Sequence, residues 1–575
     1  MNKIPIAFKK GTSYLAAMNA LKSKEILFLC LIVVFAFFLR TIYAGVPALN
    51  GDEGDNFDAA RILIEQGISP WQKFAGVLPP VSAWTVSFFI YFLGFEEWAI
   101  RFNGAVFGVL TIIAIFFLAR LIFGSKVALL SSFIASVVPF LVLSSRDAHP
   151  DNPLILFSVL GVLFFEYGRK FGQKFWYCLG GMSFALAILS KYNAIVVFVV
   201  YFVFVLANSV SFSAKSFNSF FGQKFKNCMI NFSISIIFVF LTVVFSLGFS
   251  LKNWFYFFNG VFYWSFTQNL LANVPRYYSF SVLFEGFSPL FFVLLPIFWL
   301  FLVFKKDKKS VLFLVLSFFL IIIASLQARK FPRHFLLGVP FSSILAGQAL
   351  ILFRQSFKNK FLSGFLIFLF CLSILGWSFY KVNAYQDYVV WRDVGAFVLS
   401  QSTNNTSVYV DGVEFWSVKF YTNYSRKIDS RLNFEKLNEG DIVIVHNLNK
   451  SKPFFIGSPL QNDLVLYSPR YSEQYEFNNE FYSDVRKYSS LLKSFNYDSS
   501  GNQILIYQVG KFLPKKAGIV SVRTVKLDLM TTKVCNIWNS NGRLKNVMLF
   551  LLSADLQFVV SQKCSKGCVY TCDFF

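Results

Sequence analysis

Residues 26–45 read ILFLCLIVVFAFFLRTIYAG, and soon after them the chain carries Gly51-Asp52-Glu53-Gly54-Asp55. The first stretch is long enough to cross a bilayer, which takes roughly 20 apolar residues at about 1.5 Å rise per residue. Lys3, Lys9, Lys10, Lys22 and Lys24 precede it. Together the two stretches predict a spanning helix that delivers carboxylates to a membrane surface. Asp and Glu are expensive beside hydrocarbon and tend to persist there when they serve a site. An Asp-Glu pair can supply a general base.

Working outward, the 575 residues are 56% hydrophobic and 20% aromatic with only 15% charged, and mean hydropathy is +0.56. That composition excludes an ordinary soluble protein. Further apolar stretches fall near 100–122, 127–144, 153–168, 176–190, 193–209, 229–250, 286–304, 311–327, 335–353 and 362–380. The expected fold class is an α-helical polytopic membrane protein of about eleven transmembrane helices. The net charge of +24 is mostly topogenic and does not point to nucleic acid. Basic residues return at every second connection: Arg120 and Lys126; Arg169, Lys170 and Lys174; Lys215, Lys224 and Lys226; Lys305 to Lys309; Arg354, Lys358 and Lys360. The positive-inside rule makes these loops and the amino terminus cytoplasmic, in a plasma (cytoplasmic) membrane. An odd number of spans then leaves the carboxyl terminus outside. The first span has no obvious cleavage site and reads as retained.

After about residue 381 the hydrophobic density drops and β-like runs appear at Ser407–Val410, Asp441–Val445, Gln503–Val509 and Val547–Leu552. Trp391, Val394, Phe397 and Val398 share one face of an amphipathic helix. Two domains are expected: residues 1–380, a transmembrane catalytic domain whose external loop 46–99 carries the Asp-Glu pair, and 381–575, an extracytoplasmic soluble α/β domain. Cys535, Cys564, Cys568 and Cys572 fall in the second. In an oxidising space they allow two disulfides in three connectivities, with a zinc site as the competing reading.

Cations on the outer side are not topogenic and need another reason. They are Arg146, close to Asp147, His149 and Asp151; Lys191; Arg276; and Arg329, Lys330 and Arg333. Snorkelling to headgroups explains any one of them. Their convergence on the acidic first loop favours an anion site for a lipid-borne phosphate, since one cation about 4 Å from a phosphate charge contributes on the order of 4 kcal/mol before desolvation. In the first loop, Asp55 reads as the cap of a helix over Asn56–Gln66, with Arg61 and Glu65 at ion-pair spacing. Pro79-Pro80 stiffens the turn into Val81–Leu93, a segment expected to lie along or dip into the outer leaflet. Glu97 and Arg101 are also spaced as an i,i+4 pair.

These residues, in this order, resemble the polyprenyl-phosphate-sugar-dependent membrane glycosyltransferases: the protein O-mannosyltransferase family and its prokaryotic relatives, including the lipid A aminoarabinose transferases. Asp52-Glu53 is similar to that family's Asp-Glu pair and Pro79-Pro80 to its Pro-Pro turn, though Leu78 stands where a Lys or His is usual. Arg146 followed by Asp151, the Lys191-Tyr192 step and the basic segment Arg329 to Leu337 complete the likeness. The resemblance implies the C-type glycosyltransferase fold. It implies transfer of a sugar, mannose or another, from a polyprenyl-phosphate donor to a hydroxyl of an acceptor protein, lipid or glycan, with inversion. Asp52 would be the base, with Glu53 alongside favouring a raised pKa through like-charge repulsion and helping to orient the acceptor. Arg146, Lys191, Arg329, Lys330 and Arg333 would bind the donor phosphate, and Asp151, Pro79 and Pro80 would support the site. No cofactor is obligatory on this reading. A divalent metal is the competing one, with Asp147 and His149 as weak candidate ligands. A transporter or flippase is a rival function, but the span middles hold almost no ionisable residue. An oligosaccharyltransferase is another, because Trp391-Arg392-Asp393-Val394-Gly395 faintly resembles an acceptor-reading motif of that family.

Overall fold

The computed structural model describes residues 23–45, 48–49, 51–69, 78–209, 223–248, 250–262, 278–326, 332–384, 390–410, 415–429, 437–447, 485, 487–496 and 503–510; it also describes the backbone of five later strands. The chain begins with α1 (Ser23–Thr41), α2 (Gly51–Gln66), α3 (Pro80–Leu93), α4 (Glu97–Phe123), α5 (Ser125–Val137) and α6 (Pro139–Ser144). Next come α7 (Asp151–Phe171), α8 (Lys174–Ser190), α9 (Ala194–Ser209), α10 (Gln223–Leu247) and α11 (Leu251–Phe262). The helical part closes with α12 (Tyr278–Phe287), α13 (Pro289–Phe304), α14 (Val311–Leu326), a 3-10 turn at Pro332–Gly338, α15 (Val339–Ser356) and α16 (Lys360–Ala384).

Each apolar stretch expected to span is helical over most of its described residues, although 127–144 breaks at Val138 into α5 and α6. Among the described residues, four helices are individually long and apolar enough to cross: Glu97–Phe123, Lys226–Leu247, Arg333–Ser356 and Lys360–Asn383. A fifth crossing arises if α12 and α13, bent by 102° at Ser288, are one broken span. Five further apolar helices are shorter, Pro80–Leu93 among them. The protein is a multi-pass membrane protein. Exposed Phe88, Tyr91 and Phe92 on α3 suit the leaflet position expected for that segment. The helices share one core in which Phe116, Phe165, Phe184, Phe313, Phe335 and Ile344 are fully buried.

Past α16, α17 (Val390–Gln401), β1 (Ser407–Val410), α18 (Phe415–Tyr421), β2 (Lys427–Asp429), β3 (Ile442–Asn447), β4 (Ser489–Asn496) and β5 (Gln503–Val509) form an α/β unit. Its sheet runs β2-β1-β3-β5-β4, parallel at β1/β2 and β1/β3 and antiparallel at β3/β5 and β4/β5. Period-two alternation sends Val408, Val410, Ile442, Ile444, Ile504 and Ile506 against Trp391, Val394 and Val398 of α17. Tyr409, Val443, Val445, Leu505 and Tyr507 face the other way. Arg523–Lys526, Cys535–Trp538, Leu544–Val547, Gln557–Cys564 and Cys568–Phe574 are β6 to β10. The side chains of Cys535, Cys564, Cys568 and Cys572, and most of the expected strand Val547–Leu552, lie outside the described residues.

Candidate active site

Helix α2 begins at Gly51, so Asp52 and Glu53 occupy its first turn and Asp55 lies inside it rather than capping it. Tertiary bonding explains the early start. Glu53 is fully buried and takes a fork from Arg101, whose Nε donates to Oε1 at 2.8 Å and whose Nη2 donates to Oε2 at 2.7 Å. The Ala148 backbone N–H adds a third bond to Oε1 at 3.2 Å. Arg101 completes its donors on the carbonyls of Ala44 (2.7 Å) and Ala48 (2.9 Å). A buried ion pair persists when its remaining donors and lone pairs are satisfied in this way. Arg101 therefore serves Glu53 and not Glu97, its expected local partner.

Glu97 instead receives a fork from Arg392 of α17, with Nε donating to Oε1 at 2.8 Å and Nη2 to Oε2. Tyr421 of α18 accepts the Leu49 N–H at 2.8 Å, and Ser417 Oγ donates to the Leu49 carbonyl at 2.7 Å. Burial first, then the Glu97 charge, push the Tyr421 hydroxyl well above its ordinary pKa, so it stays protonated. Asp58, also fully buried, lies 3.1 Å from Arg61 and 3.5 Å from Lys419. Phe57 packs against Phe420 and Tyr424. The α/β unit thus closes directly over the acidic helix.

The second half of the site is the loop between α6 and α7. Gly104 of α4 lets it in: a Cβ there would lie 2.5 Å from the Asp147 carbonyl and 2.9 Å from that of Ser145. Arg146 is buried and its Nη1 donates to the Leu39 carbonyl at 2.9 Å. Asp151 starts α7, fully buried, with Lys191 Nζ at 2.9 and 3.0 Å from its two oxygens and His149 Nδ1 at 2.6 Å. Burial alone would raise its pKa, but Lys191 and His149 outweigh burial and hold the carboxyl well below the usual carboxylate range. Arg333, from the 3-10 turn before α15, meets His149 Nε2 at 2.8 Å. Residues far apart in sequence so form one chain, Arg333 to His149 to Asp151 to Lys191. Pro79, extended at φ −63° and ψ 146°, precedes α3, and buried Pro80 is its first residue, where a missing N–H costs nothing.

The side chain of Asp52 and the whole of Arg329 and Lys330 lie outside the described residues. His149 Nε2 meets Arg333, and its Nδ1 lies 2.6 Å from an Asp151 oxygen. Among the described residues no three of His, Cys, Asp and Glu gather as a metal site. The described part of the donor set for which His149 and Asp147 were weak candidates thus fits a metal poorly. Sequence reading passed over Arg40, which is buried at the end of α1 and donates to the carbonyls of Ala36 (3.0 Å) and Ser136 (3.1 Å). A charge inside the apolar run 26–45 was the available signal. Trp391 is buried under the sheet, and a Cβ on Gly395 would lie 2.3 Å from that of Tyr421. The Trp391-to-Gly395 stretch packs α17 under the sheet and carries Arg392's bond to Glu97.

Residues 77–222, a minority of the chain, match the family described as Dolichyl-phosphate-mannose-protein mannosyltransferase. The matched segment carries Pro79-Pro80, Arg146, Asp151 and Lys191. Over 84% of its length the chain superposes on 98% of ArnT from Cupriavidus metallidurans in the apo state, with a TM-score of 0.54 at 12% identity. The chain has the C-type glycosyltransferase fold. ArnT bound to undecaprenyl phosphate gives a TM-score of 0.53 at 13% identity, over 83% of this chain and 97% of that one. The same C-type fold matches the oligosaccharyltransferase of Archaeoglobus fulgidus tethered to an acceptor peptide, with a TM-score of 0.53 at 11% identity, over 86% of this chain and 75% of that one. An uncharacterised protein of Aquifex aeolicus is 33% identical over 175 residues, which is 29% of this chain; the chain spans about a third (34%) of that relative's length. The resemblance to polyprenyl-phosphate-dependent C-type glycosyltransferases read from the motifs holds.

Proposed function

We propose that the protein transfers a single sugar, mannose or another, from a polyprenyl-phosphate donor to an acceptor hydroxyl on the extracytoplasmic face of the cytoplasmic membrane. The observation that carries this reading is the assembly of Lys191, His149, Arg333 and Asp151 from three distant segments, on a loop bonded through Ala148 to the Asp52-Glu53 turn. A base and a cation cluster on one scaffold suit nucleophilic displacement of a phosphate leaving group. Asp52 removes the acceptor proton as its oxygen attacks the anomeric carbon from the face opposite the phosphate. The C–O bond to phosphate breaks, the configuration inverts, and polyprenyl phosphate departs with the bonding pair. Arg146, Lys191 and Arg333, with Arg329 and Lys330, stabilise that charge. Glu53 acts through Arg101, fixing the loop on which Asp52 sits.

The phosphate leaves already ionised, so no metal is required for its departure, and a divalent cation plays no obligatory part. The helical domain 1–380 carries the chemistry and the unit 381–575 lies outside the membrane, over the first external loop. The acceptor is a protein, lipid or glycan hydroxyl, and nucleic acid is not a partner. The test is transfer from a polyprenyl-phosphate sugar in membranes bearing Asp52→Ala. Loss of product with an unchanged thermal midpoint is expected, and full activity of D52A would remove Asp52 from the reaction. Uptake or flipping of a lipid-linked sugar without any glycan change would instead support a transporter.

A further inference from the structure

The bond between Arg333 and His149 has a chemistry the transfer reaction does not by itself require. Arg carries only donors, so the His149 Nε2 lying 2.8 Å from its Nη1 must be the acceptor. The ring proton then resides on Nδ1, which lies 2.6 Å from an Asp151 oxygen as an ion-pair contact. Asp151 fixes the tautomer, as carboxylates do for imidazoles whose other nitrogen has a task. Lys191 in turn neutralises Asp151, 2.9 Å away.

From this we infer that His149 is a positioning residue, a neutral acceptor that orients the Arg333 guanidinium toward the donor phosphate without cancelling its charge. The inference rests on the reading that Arg333 binds that phosphate. A carboxylate in the same place would aim the fork equally well, but it would offset the positive charge that attracts the ligand. An apolar side chain would leave the charge and lose the aim. A neutral imidazole supplies direction alone. His149 is only 14% exposed and Asp151 fully buried, so the imidazole is largely shielded from water, while Arg333 is half-buried.

The experiment uses the full-length protein in detergent, with undecaprenyl phosphate as the probe and undecaprenol as the uncharged control. Arg333→Ala and His149→Ala are each expected to weaken phosphate-dependent binding by about 10-fold, equivalent to ~1.4 kcal/mol. His149→Gln places a carbonyl oxygen near the Nε2 position and should restore affinity to within about 3-fold. His149→Asn, too short to reach Arg333, should not. Thermal midpoints without lipid are measured alongside, because a merely structural loss would not separate Gln from Asn. If H149A does not fold, the comparison of H149Q with H149N decides alone. Wild-type binding by R333A would overturn the phosphate reading itself. Weakened R333A with unaffected H149A, or equal weakening by H149Q and H149N, would overturn the role of His149 and leave that reading standing.

Discussion

Glu53 shows how one buried carboxylate ties separate segments together. Its partners Arg101 and Ala148 lie on different segments, and Arg101 also holds the carbonyls of Ala44 and Ala48. Glu53→Ala leaves a buried guanidinium without its counter-charge and should destabilise the protein by about 3–5 kcal/mol, read as a lower thermal midpoint. Glu53→Gln, which keeps an acceptor, should lose less. D52A by contrast is expected to lose turnover and keep stability, so the two neighbouring acids separate by assay. Sequence could name these acids but not their partners. The i,i+4 spacing of Glu97 and Arg101 favours a local pair, yet each finds a distant partner with forked geometry, Arg392 for one and Glu53 for the other. Arg61 does pair locally, with Glu65 at 2.5 Å and with buried Asp58 at 3.1 Å. Local spacing decides there because both acids lie three or four residues away on the same helix.

Among the elements, the apolar helices were legible because length and hydropathy alone predict them. The start of α2 was not, since Asp55 offers a good cap while the bonds that Glu53 makes in the first turn are tertiary. The loop from Ser145 to Pro150 is similar: its shape depends on the absence of a side chain at Gly104, one helix away. Gly104→Val places methyl groups where the Asp147 carbonyl sits and forces the loop outward. Transfer is expected to fall by about 10-fold or more even though no charged group is removed, because a displacement near 1 Å at a positioned group can cost as much as 10²-fold. Unchanged turnover in G104V would show that the loop's seat on α4 is not what sets its geometry.

Across the whole molecule, the α/β unit and the helical part meet through Arg392 on Glu97, Lys419 on Asp58, and Tyr421 and Ser417 on Leu49. Arg392→Glu sets two carboxylates against each other and should destabilise by about 1–2 kcal/mol after solvent screening of a partly exposed pair. The double variant Glu97→Arg with Arg392→Glu should recover most of that loss in a double-mutant cycle. Additive losses would show that the two side chains do not meet. The bonds at Leu49 bear on the order in which the molecule is made. Its partners Tyr421 and Ser417 lie 372 and 368 residues further along the chain. Chains emerge amino terminus first and domains fold as they appear, so the loop carrying Asp52 waits for its seat until most of the polypeptide has been synthesised. A nascent chain stalled in the membrane would hold Asp52 on an unfinished segment, and the proposed transfer would begin only once the late-arriving unit had folded over it.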